Sequence, residues 1–388
     1  MGFAGVIDAS EIEHRNGGAA MNSARYPQWS YSAALASLPL LTHRRLRWLM
    51  QSGTPSDVWR RIRAGERFLN GIDDAVWRAW GSVDDSLLIG VAERCIDLGV
   101  TVVTMKDAGY PTALIGDPEA PAVLFLRGNT TAFTHRRVGI VGTRTATASG
   151  KHFARTLGAQ LSAAGVSVVS GLARGIDVES HSGVLSAMND DCAPPIAVVA
   201  SGPDVVYPRE HSRIWNEIAM RGVLVSESPP GAHAEPFRFP MRNRIIAGLS
   251  EVLIVVESRS TGGSMSTVRE AMKRDVAVMA VPGSPGMRQS EGTNDLLRDG
   301  CAPVTNVEDV LLALNLDTRR VQNWCDPREA LSADEAEFLH AMGRGPRSMD
   351  ELSIHTSRSL VKTAVYLGRL EAKGWVANTD GWWEALVA

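Results

Sequence analysis

Apolar positions in the first third of the chain recur at helical spacing. Ala34–Leu38, Leu46–Leu49, Val58–Ile62, Ile72–Val76–Trp80 and Leu87–Val91 repeat every three or four residues, which predicts a small helical domain over residues 29–100. The residues before it, 1–28, are rich in Gly, Ala, Asn and Ser without periodicity and read as a disordered tail. Between Val102 and Gly128 the chain changes character, with Tyr110-Pro111, Pro118, Pro121 and the apolar run Val123–Leu126. Short apolar runs then alternate with helical patterns. Strands are expected at Val138–Val141, Val166–Val169, Ile196–Ala200, Val223–Ser226, Val252–Val256 and Val276–Val281. Helices are expected over Gly150–Ala164, Asp177–Met188, His211–Met220, Asn243–Gly248 and Ser264–Arg274.

Apolar strands joined by helical crossovers specify α/β architecture, a doubly wound parallel sheet covered on both faces, over residues 101–314. A polar stretch, 315–328, reads as a linker. Residues 329–388 then give helices at Ala333–Met342, Met349–Ile354 and Ser357–Lys373, followed by a hairpin turning at Asp380-Gly381, the order of a winged helix.

Composition narrows the function. The chain has 388 residues and a net charge of −3, so nucleic-acid contact must come from local patches. Cys95, Cys192, Cys301 and Cys325 are scattered, with no CxxC or CxxxH spacing. That removes the common zinc motifs and any disulfide framework, and suits a reducing cytoplasm. No run of 18 apolar residues occurs and the N-terminus lacks a signal-peptide core, so a membrane role is not expected.

The candidate chemistry lies where two expected strands end, in Gly142-Thr143-Arg144 and in Ser170-Gly171-Leu172-Ala173-Arg174-Gly175-Ile176-Asp177. Small residues let backbone N–H groups approach a phosphate, helix N-termini favour the anion, and arginine clamps it. Neither common nucleotide motif is present. Thr145 stands where the first P-loop glycine belongs, His152 follows Lys151, and GxGxxG is missing. The other strand ends, Ser201-Gly202, Glu257 with Thr261-Gly262-Gly263-Ser264, and Pro282-Gly283-Ser284, converge on the same sheet edge, although tight turns also need small residues.

A second cluster, Phe237-Arg238-Phe239-Pro240-Met241-Arg242-Asn243-Arg244, joins arginines that hold phosphates to aromatic faces that stack on unpaired bases. The competing reading puts the phenylalanines in the core and the arginines in solvent. Asp177 and His181, one turn apart, fit a helix cap with an internal hydrogen bond better than a metal site lacking a third ligand. No Ser-His-Asp or Cys-His arrangement is apparent.

These motifs, with His181, Ser201-Gly202-Pro203-Asp204, Val206-Tyr207-Pro208, Phe239–Ser250, Val281-Pro282-Gly283-Ser284-Pro285, Gly292-Thr293-Asn294 and Asp299-Gly300, resemble the DprA/Smf family in order and spacing over residues 105–312. The resemblance implies an extended Rossmann-like domain that binds single-stranded DNA, flanked by a SAM-like helical domain and a winged-helix domain. It further implies protection of incoming DNA in natural transformation, loading of a RecA-type recombinase, and a homodimer formed through the Rossmann-like domain. The family's anion pocket would fall on Gly142, Thr143, Arg144, Ser170, Gly171, Arg174, Arg242, Asn243 and Arg244, with Ser264 and Thr267. Phe237 and Phe239 join it as base-stacking candidates. No cofactor, metal or catalytic residue is expected.

Three stretches depart from the family pattern. Leu38–His43 stands in place of a Gly-x-Gly hairpin that can grip a DNA backbone. Thr261–Met265 carries an extra glycine, and Asp275 replaces a common glycine. The alternative function is a Rossmann-like nucleoside-monophosphate phosphoribohydrolase. Gly263–Glu270 resembles that class's loop, with Thr267 and Glu270 in register, but it lacks the proline and two glycines. For the third C-terminal helix, Arg358, Lys362, Arg369 and Lys373 are offset by Glu371, Asp350 and Glu351, a mixture that favours protein contact over duplex DNA.

Overall fold

The computed structural model describes residues 26–189, 191–321, 326, 328–343 and 345–386. Residues 1–25 of the expected tail, and Trp324 and Cys325 of the expected linker, lie outside the described residues.

Five helices form the N-terminal layer: α1 (Gln28–Ala36), α2 (His43–Gln51), α3 (Pro55–Arg63), α4 (Asp74–Gly81) and α5 (Asp85–Asp97). The first helix therefore begins inside the stretch read as tail. Thr42 and Thr54 cap α2 and α3 by accepting the backbone N–H three residues on. Trp59, Trp77 and Trp80 fill the core of this layer, and the indole of Trp80 donates to the Pro39 carbonyl at 2.9 Å.

The sheet has nine strands. They are β1 (Val100–Thr104), β2 (Val123–Gly128), β3 (Arg136–Val141), β4 (Val166–Ser170), β5 (Ile196–Val198), β6 (Val223–Ser226), β7 (Val252–Val255), β8 (Ala277–Ala280) and β9 (Ala302–Pro303). Their spatial order is β1-β2-β6-β5-β4-β3-β7-β8-β9. The seven strands from β6 to β9 pair in parallel, while β1 and β2 add an antiparallel edge beside β6. The crossovers run through α6 (Ala148–Ala163), α7 (Ile176–Ala187), α8 (Ser212–Arg221), α9 (Arg238–Leu249), α10 (Ser264–Met272) and α11 (Glu291–Arg298), and α12 (Val307–Ala313) follows β9. Strand and helix periods in the sequence locate β3 to β8 and α6, α7, α8 and α10 to within a few residues, and the doubly wound α/β class is observed, while β9, α11 and α12 have no counterpart in the sequence reading. Helix α9 starts at Arg238 rather than Asn243. Pro240 is tolerated in its first turn, where the missing N–H has no intrahelical partner to lose.

The edge hairpin β1–β2 was not expected as strands, and it changes how the first two domains relate. Val100, Val102, Val123 and Phe125 face the helical layer, while Val103, Leu124 and Leu126 face the α/β core. Neighbouring residues thus serve different cores, as period-two alternation dictates.

The C-terminal part contains α13 (Ala333–Met342), β10 (Arg347–Ser348), α14 (Met349–His355), α15 (Leu360–Ala372), β11 (Val376–Thr379) and β12 (Trp382–Ala385). Its three strands pair in the order β10-β12-β11. Ser332 and Ser348 each form a capping box with a glutamate three residues on, Glu335 and Glu351. Two cations near α15 are held internally. Arg358 pairs with Glu337, and Lys373 pairs with Glu329 and Glu335.

Candidate nucleic-acid interface

The carboxyl ends of β3, β4 and β5 meet the N-terminal half of α9 in one concavity. Its walls include Arg144, Arg174, Arg242, Phe239 and Tyr207, over a floor of Gly171, Val199 and Ala200. The position is set locally. The β3 loop turns into α6 at Thr147, whose hydroxyl caps the helix by accepting the Gly150 N–H at 3.0 Å. The β4 loop turns into α7 at Gly175 with φ +76°, a backbone conformation suited to glycine.

Arg242 is the buried member, 5% exposed. Its guanidinium donates to the Gly171 carbonyl at 2.6 Å and to the Val198 carbonyl, and its Nε donates to Asn243 Oδ1 at 3.2 Å. Any side chain at position 171 would overlap that guanidinium, which explains the glycine. Burial pushes the Arg242 pKa down to about 10, offset by the Asp177 carboxylate, so the group is still a cation at neutral pH. Arg144 is exposed and lies 5.4 Å from the centroid of Phe239, which meets Tyr207 at 5.4 Å in a tilted pair. Arg174 is exposed and ion-paired with Glu210, which raises its pKa.

Several amides of the two loops are turned inward. Asp177 is buried beneath them and accepts the Gly171 N–H at 3.2 Å, and backbone bonds from Ala173 and Gly142 also reach it. Burial raises the Asp177 pKa, while Arg242 and these N–H groups favour its charged form. At the β3–β7 switch point, the usual ligand position of such sheets, the Glu257 carboxylate takes the Thr147 N–H at 2.9 Å and its hydroxyl at 2.5 Å. The Glu257 carbonyl accepts the Thr143 N–H at 2.7 Å. Two internal carboxylates thus take up N–H groups at this sheet edge. The amides of Gly142, Thr143, Gly171 and Ala173 are thereby used inside the protein, and Arg144, Arg174 and Arg242 supply the cations of this edge.

Other candidates separate in the same way. Arg144, Gly171, Arg174, Phe239 and Arg242 come together, with Gly142, Thr143 and Asn243 behind or beside them. Ser170 does not reach the cavity: it is fully buried and donates to the Ile140 carbonyl at 2.6 Å. Arg244 also points elsewhere, donating to the Glu119 carbonyl and pairing with Glu227. Two residues along a helix turn by about 200°, so Arg242 and Arg244 cannot share a face. Ser264 is buried and donates to Ser258 at 2.8 Å, and Thr267 is buried as well. Phe237 is exposed on a neighbouring groove beneath the Arg238 guanidinium, 5.3 Å away. Sequence reasoning overlooked Tyr207 as a wall residue, although its Tyr-Pro motif was visible, and gave Asp177 only a cap role.

His181 does not bond to Asp177. It is fully buried, beside the Ser170 backbone, and burial drives its pKa down to about 3. A histidine depressed in this way stabilises the fold fully above its unfolded value near 6.5. That contribution is lost as pH falls from about 6.5 toward 3, by about 1.4 kcal/mol per pH unit. His181→Leu should therefore flatten the acid limb of a urea-midpoint profile in that window. An unchanged limb would place the acid sensitivity elsewhere.

Glu270, which the hydrolase alternative needs as a catalytic acid, pairs instead with Lys273 at 2.8 Å and Arg274 at 2.7 Å, and is not among the residues lining the concavity. Among the described residues no group of three or more His, Cys, Asp or Glu is placed to hold a metal ion, and no helix is long and apolar enough to cross a membrane.

The extended doubly wound sheet is one shared with a family of DNA recombination mediators. The family model described as DNA recombination-mediator protein A matches residues 101–315, more than half of the chain. The DNA processing protein DprA of Bacillus subtilis is 37% identical over 213 residues, covering 55% of this chain and 70% of the relative. Among solved structures, DNA processing protein A of Streptococcus pneumoniae superposes with a TM-score of 0.62 at 28% identity, covering 73% of this chain and 97% of that one. The Helicobacter pylori protein, described for its single-stranded DNA binding mode, gives a TM-score of 0.50 at 28% identity, covering 55% of this chain and 96% of that one. The chain belongs to the DNA recombination-mediator protein A family, known as DprA or Smf, whose members are mediators and not enzymes.

Proposed function

We propose that this protein binds single-stranded DNA in the concavity formed by Arg144, Arg174, Arg242 and Phe239. We further propose that, as a homodimer in the cytoplasm, it protects incoming strands during natural transformation and loads a RecA-type recombinase onto them. The observation that carries the reading is the convergence of Arg144, Arg174 and Arg242 beside the Phe239 ring in one concavity. A free amide nest suits one compact nucleotide phosphate, whereas side-chain cations beside an aromatic ring suit a backbone phosphate with an unpaired base next to it. The binding mode reported for the Helicobacter pylori relative supports the same substrate.

Arg144 is exposed, and its guanidinium lies against the Phe239 ring at the mouth of the concavity. Arg144→Ala should thus leave stability within about 0.5 kcal/mol of wild type. It should weaken binding of a labelled poly-dT strand by about 1–3 kcal/mol and lower the salt slope by about one ion. Anisotropy titrations against salt, with duplex as competitor, test both statements. Unchanged affinity in this variant would move the site away from the concavity.

A further inference from the structure

A groove of about 1170 Å3 runs from this concavity into the cleft between the helical layer and the sheet, and the two share Val199, Ala200 and Arg242. It exceeds the roughly 300–1,000 Å3 typical of a small-molecule site. One lip is the loop before α2, with Leu40 at its tip. The other is the start of α9, with Phe237 and Met241.

Leu40 is unusual in two respects. It is 58% exposed despite being aliphatic, and it holds φ +53°, a left-handed conformation that leucine avoids. Two side chains pin the loop in that shape: Arg45 donates to the Leu40 carbonyl at 2.7 Å, and Trp80 donates to the Pro39 carbonyl at 2.9 Å. Strain that the surroundings over-determine is characteristic of residues held for a ligand. Across the groove, Phe237 is 60% exposed, with the Arg238 guanidinium near its ring. Arg238 keeps a buried Nε without a protein partner while donating to Ser228 at 2.6 Å.

We infer that this groove receives the unpaired bases of the same strand whose phosphates sit in the concavity, with Leu40 and Phe237 as the apolar contacts on either side. The inference rests on the single-strand reading above. Continuity with the arginine concavity supplies the polarity: phosphates lie among Arg144, Arg174 and Arg242, and bases enter the more apolar cleft. Flat, weakly hydrated bases match a leucine tip and an exposed phenyl ring, whereas a charged backbone does not.

The test uses the full chain and two probes of equal phosphate number, dT20 and an abasic-spacer strand. Wild type should prefer dT20 by about tenfold or more. Leu40→Gly should keep the abasic affinity and lose about fivefold or more of the preference for bases. Glycine relieves the left-handed strain, so the variant's unfolding temperature should be at or above wild type, which separates a binding loss from misfolding. Wild-type binding with an unchanged base preference in Leu40→Gly would overturn the groove while leaving the concavity intact. Failure of wild type to bind either strand would overturn the single-strand reading itself.

Discussion

Arg242→Ala is expected to cost the fold about 3–5 kcal/mol and to abolish measurable single-strand binding in whatever fraction remains folded. The argument starts from burial. The buried guanidinium bonds the carbonyls of Gly171 and Val198 and its charge favours the ionised form of the buried Asp177, so its removal leaves two buried carbonyls short of a donor and takes away a compensating charge. The same group is the innermost cation of the concavity. Stability and binding should therefore fall together, in contrast to Arg144→Ala, where only binding falls. Urea unfolding and anisotropy on both variants check the contrast. An Arg242→Ala protein with near-normal stability would mean that Asp177 and Arg242 do not support one another.

The second large effect is expected from a single methyl group. Gly175→Ala places a β-carbon at a backbone with φ +76° and ψ −127°, where an L side chain is strained, and directly into the Thr143 carbonyl. Backbone atoms cannot swing aside as a side chain can. A loss of about 2–4 kcal/mol is expected from strain and overlap combined. The Thr143-Arg144 segment must shift to relieve it, so single-strand affinity should drop as well, beyond what the unfolded fraction explains. A urea midpoint within about 0.5 kcal/mol of wild type would show that the two loops are not locked together at this glycine.

The parallel strands were legible because residues buried on both faces leave continuous apolar runs such as Val252–Val256, and the helices between them keep their 3.6-residue period. Arginines near the sheet edge were also legible. Their directions were not taken from the sequence, although the two-residue spacing of Arg242 and Arg244 already forbids a shared face. The fate of the loop amides was hidden, because a carboxylate six residues beyond Gly171 reads as an ordinary first-turn acid until the fold returns it beneath its own loop. Ser170 and Ser264 illustrate the same limit: a hydroxyl in a turn looks available whether it faces a ligand or a buried carbonyl. Two departures from the family pattern turn out to be informative. Leu40 and Asp275 occupy left-handed backbone without glycine's freedom, each at φ +53°.

The edge hairpin shared between the two cores has a mechanical consequence. Val100, Val102, Val123 and Phe125 belong to the helical layer's interior even as their strands pair into the sheet beside β6. Pulling the helical layer away would strip a whole edge from the sheet, so these two parts should open as a single cooperative unit in native-state hydrogen exchange. A truncation placed at residue 100 would keep the β1–β2 pairing but leave the face carrying Val102, Val123 and Phe125 bare. The helical layer and the arginine-lined edge are therefore joined through one shared hairpin, so a displacement of the helical end is passed to the sheet through packed side chains.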